Sequence, residues 1–281
     1  MNALEVNKLT KEYPGFLLDS VSFTLPGGCI LGLIGENGAG KSTTIRLILD
    51  MIRKDAGSVT ILGKDNQDNL ELTKEEIGTV LDEVGIPDCL TVEKVGKVMS
   101  RIYRNWDSEE YARIVRRFGL PEGKPFRDFS RGTKMKLGIA VAMSHGAKLL
   151  ILDEATSGLD PVVRDEVLDM FYDFTREEDH SILISSHIVS DLEKLCDYIA
   201  FLHKGKLLLF EEKDALLEKY AVAHCTPAQL SGLDASAVRY RKDGPYGTEA
   251  IVLRSEMPEG YQLSPVSIEE LFVFMAKEEK A

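Results

Sequence analysis

Cysteine is scarce, and what there is does not cluster. Cys29, Cys89, Cys196 and Cys225 lie far apart with no CxxC pair among them, so neither a disulfide scaffold nor a zinc site is expected. With no signal-like segment in view, they read as buried thiols in a reducing cytoplasm. Long apolar runs are missing as well: none approaches the roughly 20 residues that span a bilayer. Any action on a membrane is therefore expected to go through a partner. Positive charge is in deficit, with 34 Lys and Arg against 46 Asp and Glu and a formal net charge of -12. That balance argues against non-specific nucleic-acid binding, which is driven by neutralising phosphates, and against adsorption to an anionic membrane surface. There is no internal repeat and no low-complexity tract.

What is present is the composition of a globular protein. Hydrophobic residues make up 44% of 281 positions, enough for a substantial core in one large domain, or in one domain with a small appendage. "ALEVNKLTKEY" (3–13) alternates like a strand, "PGG" (26–28) is a turn, and "CILGLIG" (29–35) has buried-strand length and ends in glycine. "KSTTIRLILDMI" (41–52) places Ile45, Ile48, Leu49 and Ile52 at helical spacing, and "GSVTILGKD" (57–65) reads as a strand. Residues 91–144 are mostly helical, broken at Gly119-Leu120-Pro121 and around Pro125. "KLLILDE" (148–154) is a buried strand closing in two carboxylates, and Asp160-Pro161 opens a helix as cap and first-turn proline. "SILISSH" (181–187) is another strand, and "YIAFLHKGKLLLF" (198–210) reads as a hairpin turning at Lys204-Gly205. Residues 211–281 differ: a short helix, a hairpin turning near Asp243-Gly244-Pro245, and a last helix in "SIEELFVFMAKEEK". Strands alternating with helices point to an α/β core with a parallel sheet, into which the 91–144 block is a helical insertion.

"GENGAGKST" (35–43) follows a buried strand and opens a helix, the context that a phosphate-binding loop requires. Gly35, Gly38 and Gly40 let the backbone of Asn37, Ala39 and their neighbours curl so that successive N–H groups point at phosphate oxygens. The helix start, with Thr43 in its first turn, adds positive potential. Lys41 would reach the β- and γ-phosphates, and the Ser42 hydroxyl would bind Mg²⁺. Asp153 and Glu154 close an apolar strand, where ligands of open α/β sheets gather. Asp153 would hold the magnesium shell and Glu154 would orient or deprotonate a water, although paired acids at a strand end can also simply cap the next turn.

Ser130 precedes a helix expected over about Arg131 to Ser144, with Met135, Ile139, Ala142 and Met143 on its apolar face. Here the sequence resembles the ATP-binding cassette (ABC) family of ATPases, whose Leu-Ser-Gly-Gly-Gln signature corresponds to "FSRGT" (129–133). The resemblance covers about residues 2–210. It implies a mixed sheet on a phosphate-loop NTPase core spanning 1–210, with an antiparallel β subdomain and a helical subdomain at about 86–146. Residues 211–281 would then be a small α+β extension. Further, it implies that Tyr13 stacks on adenine, that His187 is the switch histidine, and that Asp160 in "SGLDP" (157–161) connects two sites across a dimer. Ordinary alternatives stand beside these: Tyr13 as a strand aromatic, His187 as a surface histidine, Asp160 as only a helix cap.

Two segments depart from the family pattern, at three residues. Arg131 replaces a glycine and Thr133 a glutamine, while Ser130 and Gly132, which can donate to a γ-phosphate, are kept. Arg131 could add charge at the phosphate, but Arg131, Lys134 and Lys136 read more readily as a solvated or partner-facing helix side. In "IGTVLDEVG" (77–85) the family's glutamine falls at Asp82, or at Glu83 if the register slips by one; a carboxylate there could still face Mg²⁺. The resemblance implies an ATP-hydrolysing subunit that pairs head to tail with itself or a related chain around ATP and Mg²⁺. It would sit on the cytoplasmic face of the membrane and power a separate permease. "RIYRNW" (101–106) would contact that permease or line an amphipathic core helix. The 90–107 and 129–137 stretches and the tail "VSIEELFVFMA" resemble a bacterial branch serving small-molecule or peptide-antibiotic export. A soluble non-transport ABC ATPase in nucleic-acid or translation processes is the alternative, disfavoured by the acidity and the lack of coiled coils; a non-catalytic binding module is a third reading.

Overall fold

The computed structural model describes residues 1–68, 74–226, 229, 230, 232, 233, 237–244 and 247–278. A central six-stranded sheet carries the architecture. Its order is β10 (Lys206–Glu212), β9 (Tyr198–His203), β3 (Ile30–Ile34), β8 (Ser181–Ser186), β7 (Leu149–Asp153), β6 (Ile77–Val80). All neighbours run parallel except the β9–β10 hairpin. Strands buried on both faces read as continuous apolar runs, and here alternate residues feed two cores. Leu31, Leu33, Ile151 and Leu183 meet β1 (Asn2–Tyr13), β2 (Phe16–Pro26), β4 (Ala56–Ile61) and helix α1 (Lys41–Ile48). Ile30, Ile34, Leu150, Leu152, Ile182 and Ile184 meet the helices of the opposite side.

The strands β2-β1-β4-β5 form a separate antiparallel sheet, with β5 at Lys64–Asp65. It is pinned to the central sheet where Asp19 N–H donates to the Gly205 carbonyl at 2.8 Å. A Cβ at Gly205 would lie 1.8 Å from the Leu17 carbonyl oxygen, so the contact requires glycine.

The 91–144 block folds as α2 (Val92–Ile102), α3 (Ser108–Arg117) and α4 (Arg131–Met143), capped by Thr91, Asp107 and Ser130. The aromatics of "RIYRNW" turn inward. Tyr103 stacks on His145 at 4.0 Å and Trp106 packs against Tyr111 at 5.1 Å, while Arg101, Ile102 and Arg104 face solvent. Two more helices, α5 (Pro161–Phe174) and α6 (Val189–Leu195), complete this side.

Beyond the hairpin, α7 (Lys213–Lys219) leads into a sheet ordered β12 (Val238–Gly244), β13 (Gly247–Leu253), β11 (Tyr220–Cys225), β14 (Gln262–Ser264). The β12–β13 hairpin is present; Pro245 of its expected turn lies outside the described residues. The last helix, α8 (Ile268–Glu278), returns to the main core, with Phe272 edge-on to Phe201 at 5.4 Å.

Three local expectations need correction. The helix expected over 41–52 stops at Ile48, because Asp50 turns to φ 52 and the buried Asn66 side chain donates to the last carbonyls, Leu47 and Ile48, at 3.0 Å each. Leu49 and Ile52 pack from a loop instead. The strand expected over 57–65 is two, split by a two-residue turn in which Leu62 (φ 49) and Gly63 (φ 78) both take left-handed backbone. The thiols are all free, but only Cys196 and Cys225 are buried; Cys29 is half-buried and Cys89 exposed.

Candidate functional site

Because β3, β8, β7 and β6 are adjacent and parallel, the loops at their carboxyl ends converge on one edge of the sheet. The residues there line a cleft of about 640 Å³, including Glu36 to Thr43, Asp82, Arg131, Glu154, Ser157, His187 and Phe16. The phosphate-type loop is built as its glycines require. A Cβ on Gly35 would meet the Leu202 carbonyl oxygen at 2.5 Å, and Gly38 and Gly40 sit at φ 81 and φ 109. Its N–H groups and the head of α1 therefore form a concave anion-binding surface.

Lys41 is buried at its base, with Nζ donating to the Gly35 carbonyl at 2.7 Å and lying 3.4 Å from Glu154 Oε1. The other carboxylate oxygen of Glu154, Oε2, is 2.6 Å from His187 Nδ1. A carboxylate only accepts, so Nδ1 carries the hydrogen. Glu154 thus joins the loops after β3, β7 and β8. Asp153, one residue earlier, is buried and accepts the Ser185 hydroxyl at 2.5 Å. The same hydroxyl oxygen receives the Glu154 N–H at 3.2 Å.

Other expected site residues lie elsewhere. Ser130 is exposed and caps α4, receiving the Thr133 N–H at 3.2 Å. Gly132 abuts the loop after β7: a Cβ there would lie 3.1 Å from the Gly158 carbonyl oxygen. Asp160 is exposed and caps α5 through the Val163 N–H at 3.1 Å. None of these three lines the cleft of its own chain. Tyr13 is exposed and outside the lining, whereas Phe16, its partner across the β1–β2 turn, is inside. Of the two candidates after β6, Asp82 lines the cleft and Glu83 does not.

The basic residues after Ser130 are partly exposed, and each has a neighbour within its own chain. Arg131 forms an ion pair with Asp82, Lys134 lies over the Phe126 ring at 4.7 Å, and Lys136 over Phe118 at 6.0 Å. Phe16 and Ser185 were missed from the sequence; each is a common residue in an ordinary strand, and only the fold brings it to the site. A second cavity of about 440 Å³, between the last sheet and α8, gathers no phosphate loop and no catalytic pair.

Among the described residues no group of three His, Cys, Asp or Glu forms a self-contained metal site. The donors available, the Ser42 hydroxyl and the Asp153 carboxylate, are hard oxygen ligands of the kind Mg²⁺ uses together with phosphate oxygens. Nor, among the described residues, is any helix long and apolar enough to cross a membrane.

Glycine loop, helix start, buried lysine and strand-end Asp-Glu pair define a phosphate-loop nucleotide-binding cassette. The ABC transporter family description matches residues 18–157. The chain is 32% identical to the ABC transporter ATP-binding protein YtrB of Bacillus subtilis (strain 168), over 96% of this chain and 97% of the relative. It is 35% identical to the lantibiotic transport ATP-binding protein SrtF of Streptococcus pyogenes, covering 75% of this chain and 91% of the relative. To the bacitracin transport ATP-binding protein BcrA of Enterococcus faecalis it is 31% identical, over 73% and 68%. Among solved structures, an ATP-binding subunit of an ABC transporter superposes with a TM-score of 0.69 at 28% identity, covering 76% of this chain and 91% of that one. The chain belongs to the ABC transporter family, as one of its ATP-binding proteins.

Proposed function

We propose that the chain hydrolyses ATP and, packed head to tail with a second copy or a related chain, drives a separate membrane permease. It would sit at the cytoplasmic face of the membrane, and the transport would be export. The carrying observation is the Glu154 carboxylate, held at once by Lys41 and His187 at the mouth of the phosphate loop. Phe16 offers the cleft an aromatic face for the base, and the N–H groups of the 35–43 loop cradle the phosphates. Ser42 and Asp153 would hold Mg²⁺, which would neutralise charge on the β- and γ-phosphates; Asp82, whose carboxylate pairs with Arg131, is not assigned to the ion.

Glu154 accepts a proton from a water positioned for in-line attack. That water's oxygen bonds the γ-phosphorus as the bond to the β–γ bridging oxygen breaks, leaving ADP and inorganic phosphate. Lys41 and His187 steady the charge on the transferring group.

Ser130, Gly132 and Asp160 would complete the site of the partner. The exposure of Ser130 and Asp160 outside their own chain's cleft, with Gly132 against Gly158 of the loop that leads to Asp160, supports that assignment. The export reading rests on SrtF and BcrA, named for lantibiotic and bacitracin transport. YtrB aligns along nearly its full length, so the segment after residue 210 has a counterpart there.

Glu154→Gln tests the catalytic assignment. Turnover should fall at least about 100-fold, the usual contribution of a positioned base, with ATP binding kept and an ATP-dependent dimer accumulating in light scattering. Equal turnover by parent and variant refutes the assignment. Gentle solubilisation of native membranes with the tagged chain should recover a hydrophobic multi-span protein; recovery of ribosomes or DNA-processing factors in its place refutes the transport reading.

A further inference from the structure

Two of the three residues that depart from the family pattern, Asp82 and Arg131, are 49 residues apart in sequence and meet in the structure. Arg131 Nη2 donates to Asp82 Oδ1 in an ion pair at the edge of the cleft that also holds Lys41, Ser42, Glu154 and His187. The Arg131 stem reaches there over the loop after β7, its Cδ 3.6 Å from where a Cβ on Gly158 would stand. One side chain therefore runs from the start of α4, across the 155–160 loop, to the segment after β6. The two side chains are 57% and 53% exposed, and an ion pair in that setting adds little to stability. What it does change is the charge of the cleft. The lining carboxylates are Glu36, Asp82 and Glu154; the lining cations are Lys41 and Arg131, with His187 beside them. A nucleoside triphosphate entering this cleft meets Glu36 and the Glu154 carboxylate, the latter held by Lys41 and His187. Without Arg131 it would also meet an uncompensated Asp82.

We infer that Asp82 and Arg131 act as a single positioning pair: Arg131 neutralises and aims the carboxylate at the cleft edge, so that the site accepts a triphosphate without repulsion from Asp82. The two departures are then one feature, each tolerable because of the other. The inference rests on reading the cleft as the ATP site.

The test measures binding of AMP-PNP and of ADP, each with Mg²⁺, to the full-length chain by equilibrium dialysis. Arg131→Met, which keeps the stem and removes the charge, should weaken AMP-PNP about tenfold and ADP less than about threefold, since the γ-phosphate carries the extra charge. Adding Asp82→Asn to that variant should return AMP-PNP affinity to within about threefold of the parent. Arg131→Lys should stay within the same margin. Both residues are exposed, so melting temperatures should not move. Should Arg131→Met fold poorly, the exchanged pair Asp82→Arg with Arg131→Asp carries the same test, and must bind AMP-PNP more tightly than Asp82→Arg or Arg131→Asp alone. Equal weakening in Arg131→Met and in the double variant overturns the inference, as does no weakening in Arg131→Met. A parent chain that fails to bind AMP-PNP at all refutes the ATP-site reading and takes the pair with it; binding by the parent with additive variants refutes the pair alone.

Discussion

Ser185→Ala separates the support of the site from its chemistry. Ser185 is fully buried, and its hydroxyl donates to Asp153 at 2.5 Å while receiving the Glu154 N–H. Alanine fits the same space and removes only that oxygen. The Glu154 N–H keeps a second acceptor, the Ser185 carbonyl at 3.1 Å, so little is lost there. Asp153, at 3% exposure, loses a donor to a charged oxygen that water can scarcely replace. Hydrogen bonds to charged groups contribute about 1.5–3 kcal/mol, which sets the expected loss near 2 kcal/mol. For a chain of this length a change of 1 kcal/mol moves Tm by about 2–4 °C, so the melt should fall by about 4–8 °C. The magnesium dependence of turnover should shift upward as well, because the carboxylate proposed to hold the ion is no longer fixed. Saturating Mg-ATP should recover part of the melt, since ligand binding to the folded state alone stabilises it. Urea unfolding with an unchanged slope, together with a magnesium titration of ATPase activity, measures both effects. A variant melting within 1 °C of the parent with unaltered magnesium dependence would refute the reasoning that Ser185 holds Asp153.

Two further substitutions probe the cleft and the helical side. Phe16→Ala should weaken Mg-ATP about tenfold, since base–aromatic stacking is worth about 1–3 kcal/mol per base, whereas Tyr13→Ala should change it less than twofold; nucleotide titration giving the reverse order would restore Tyr13 as the base platform. His145 is buried against Tyr103, its Nδ1 3.1 Å from the Glu75 carbonyl. Burial pushes its imidazole below the ordinary histidine value. The folded chain then resists a proton that the unfolded chain accepts, so this contribution is full above the unfolded value near 6.5 and is lost as pH falls below it. The urea midpoint should drop between pH 7.5 and 5.5 in the parent and drop less in His145→Phe; parallel pH profiles would exclude His145 as a cause.

What the sequence made legible was local. Gly35 to Thr43 could be read because the loop's chemistry is set by residues within one turn of each other, flanked by a buried strand and a helix. Asp153 and Glu154 could be read because a doubly buried parallel strand leaves an unbroken apolar run that ends at them. The contacts that escaped reading were set by tertiary structure. Phe16 and Tyr13 are register partners across a tight turn, so either aromatic satisfies the sequence pattern and only the placement of the hairpin over Gly40 selects one. The end of α1 is set by Asn66, which acts from beyond the next strand. Arg131 and Asp82 each read as an isolated departure, since nothing in either segment announces that the start of α4 reaches the segment after β6. The segment after residue 210 was legible as elements but not as an order, because β12-β13-β11-β14 is fixed by pairing rather than by periodicity.

Glu154 shows how far the fold departs from local preference to make the site. It sits at φ 55, a left-handed backbone that costs an L side chain roughly 1–2 kcal/mol. Continued strand geometry would send the side chain to the face of the sheet on which Leu152 is already buried. The left-handed turn carries it over the cleft instead, and Ser185, Lys41 and His187 hold it there. This argument gives a comparison free of the carboxylate's own interactions. Glu154→Ala and Glu154→Gly both remove the acid and should be equally inactive. They differ in backbone alone. At an ordinary strand or helix position alanine is the more stable by roughly 0.5–1 kcal/mol. Here the order should invert, with the glycine variant more stable by about 1 kcal/mol in urea unfolding, because glycine adopts φ 55 without strain. Should the alanine variant prove equal or superior, Glu154 is not held in a strained conformation, and the turn that aims it must be set by the chain on either side.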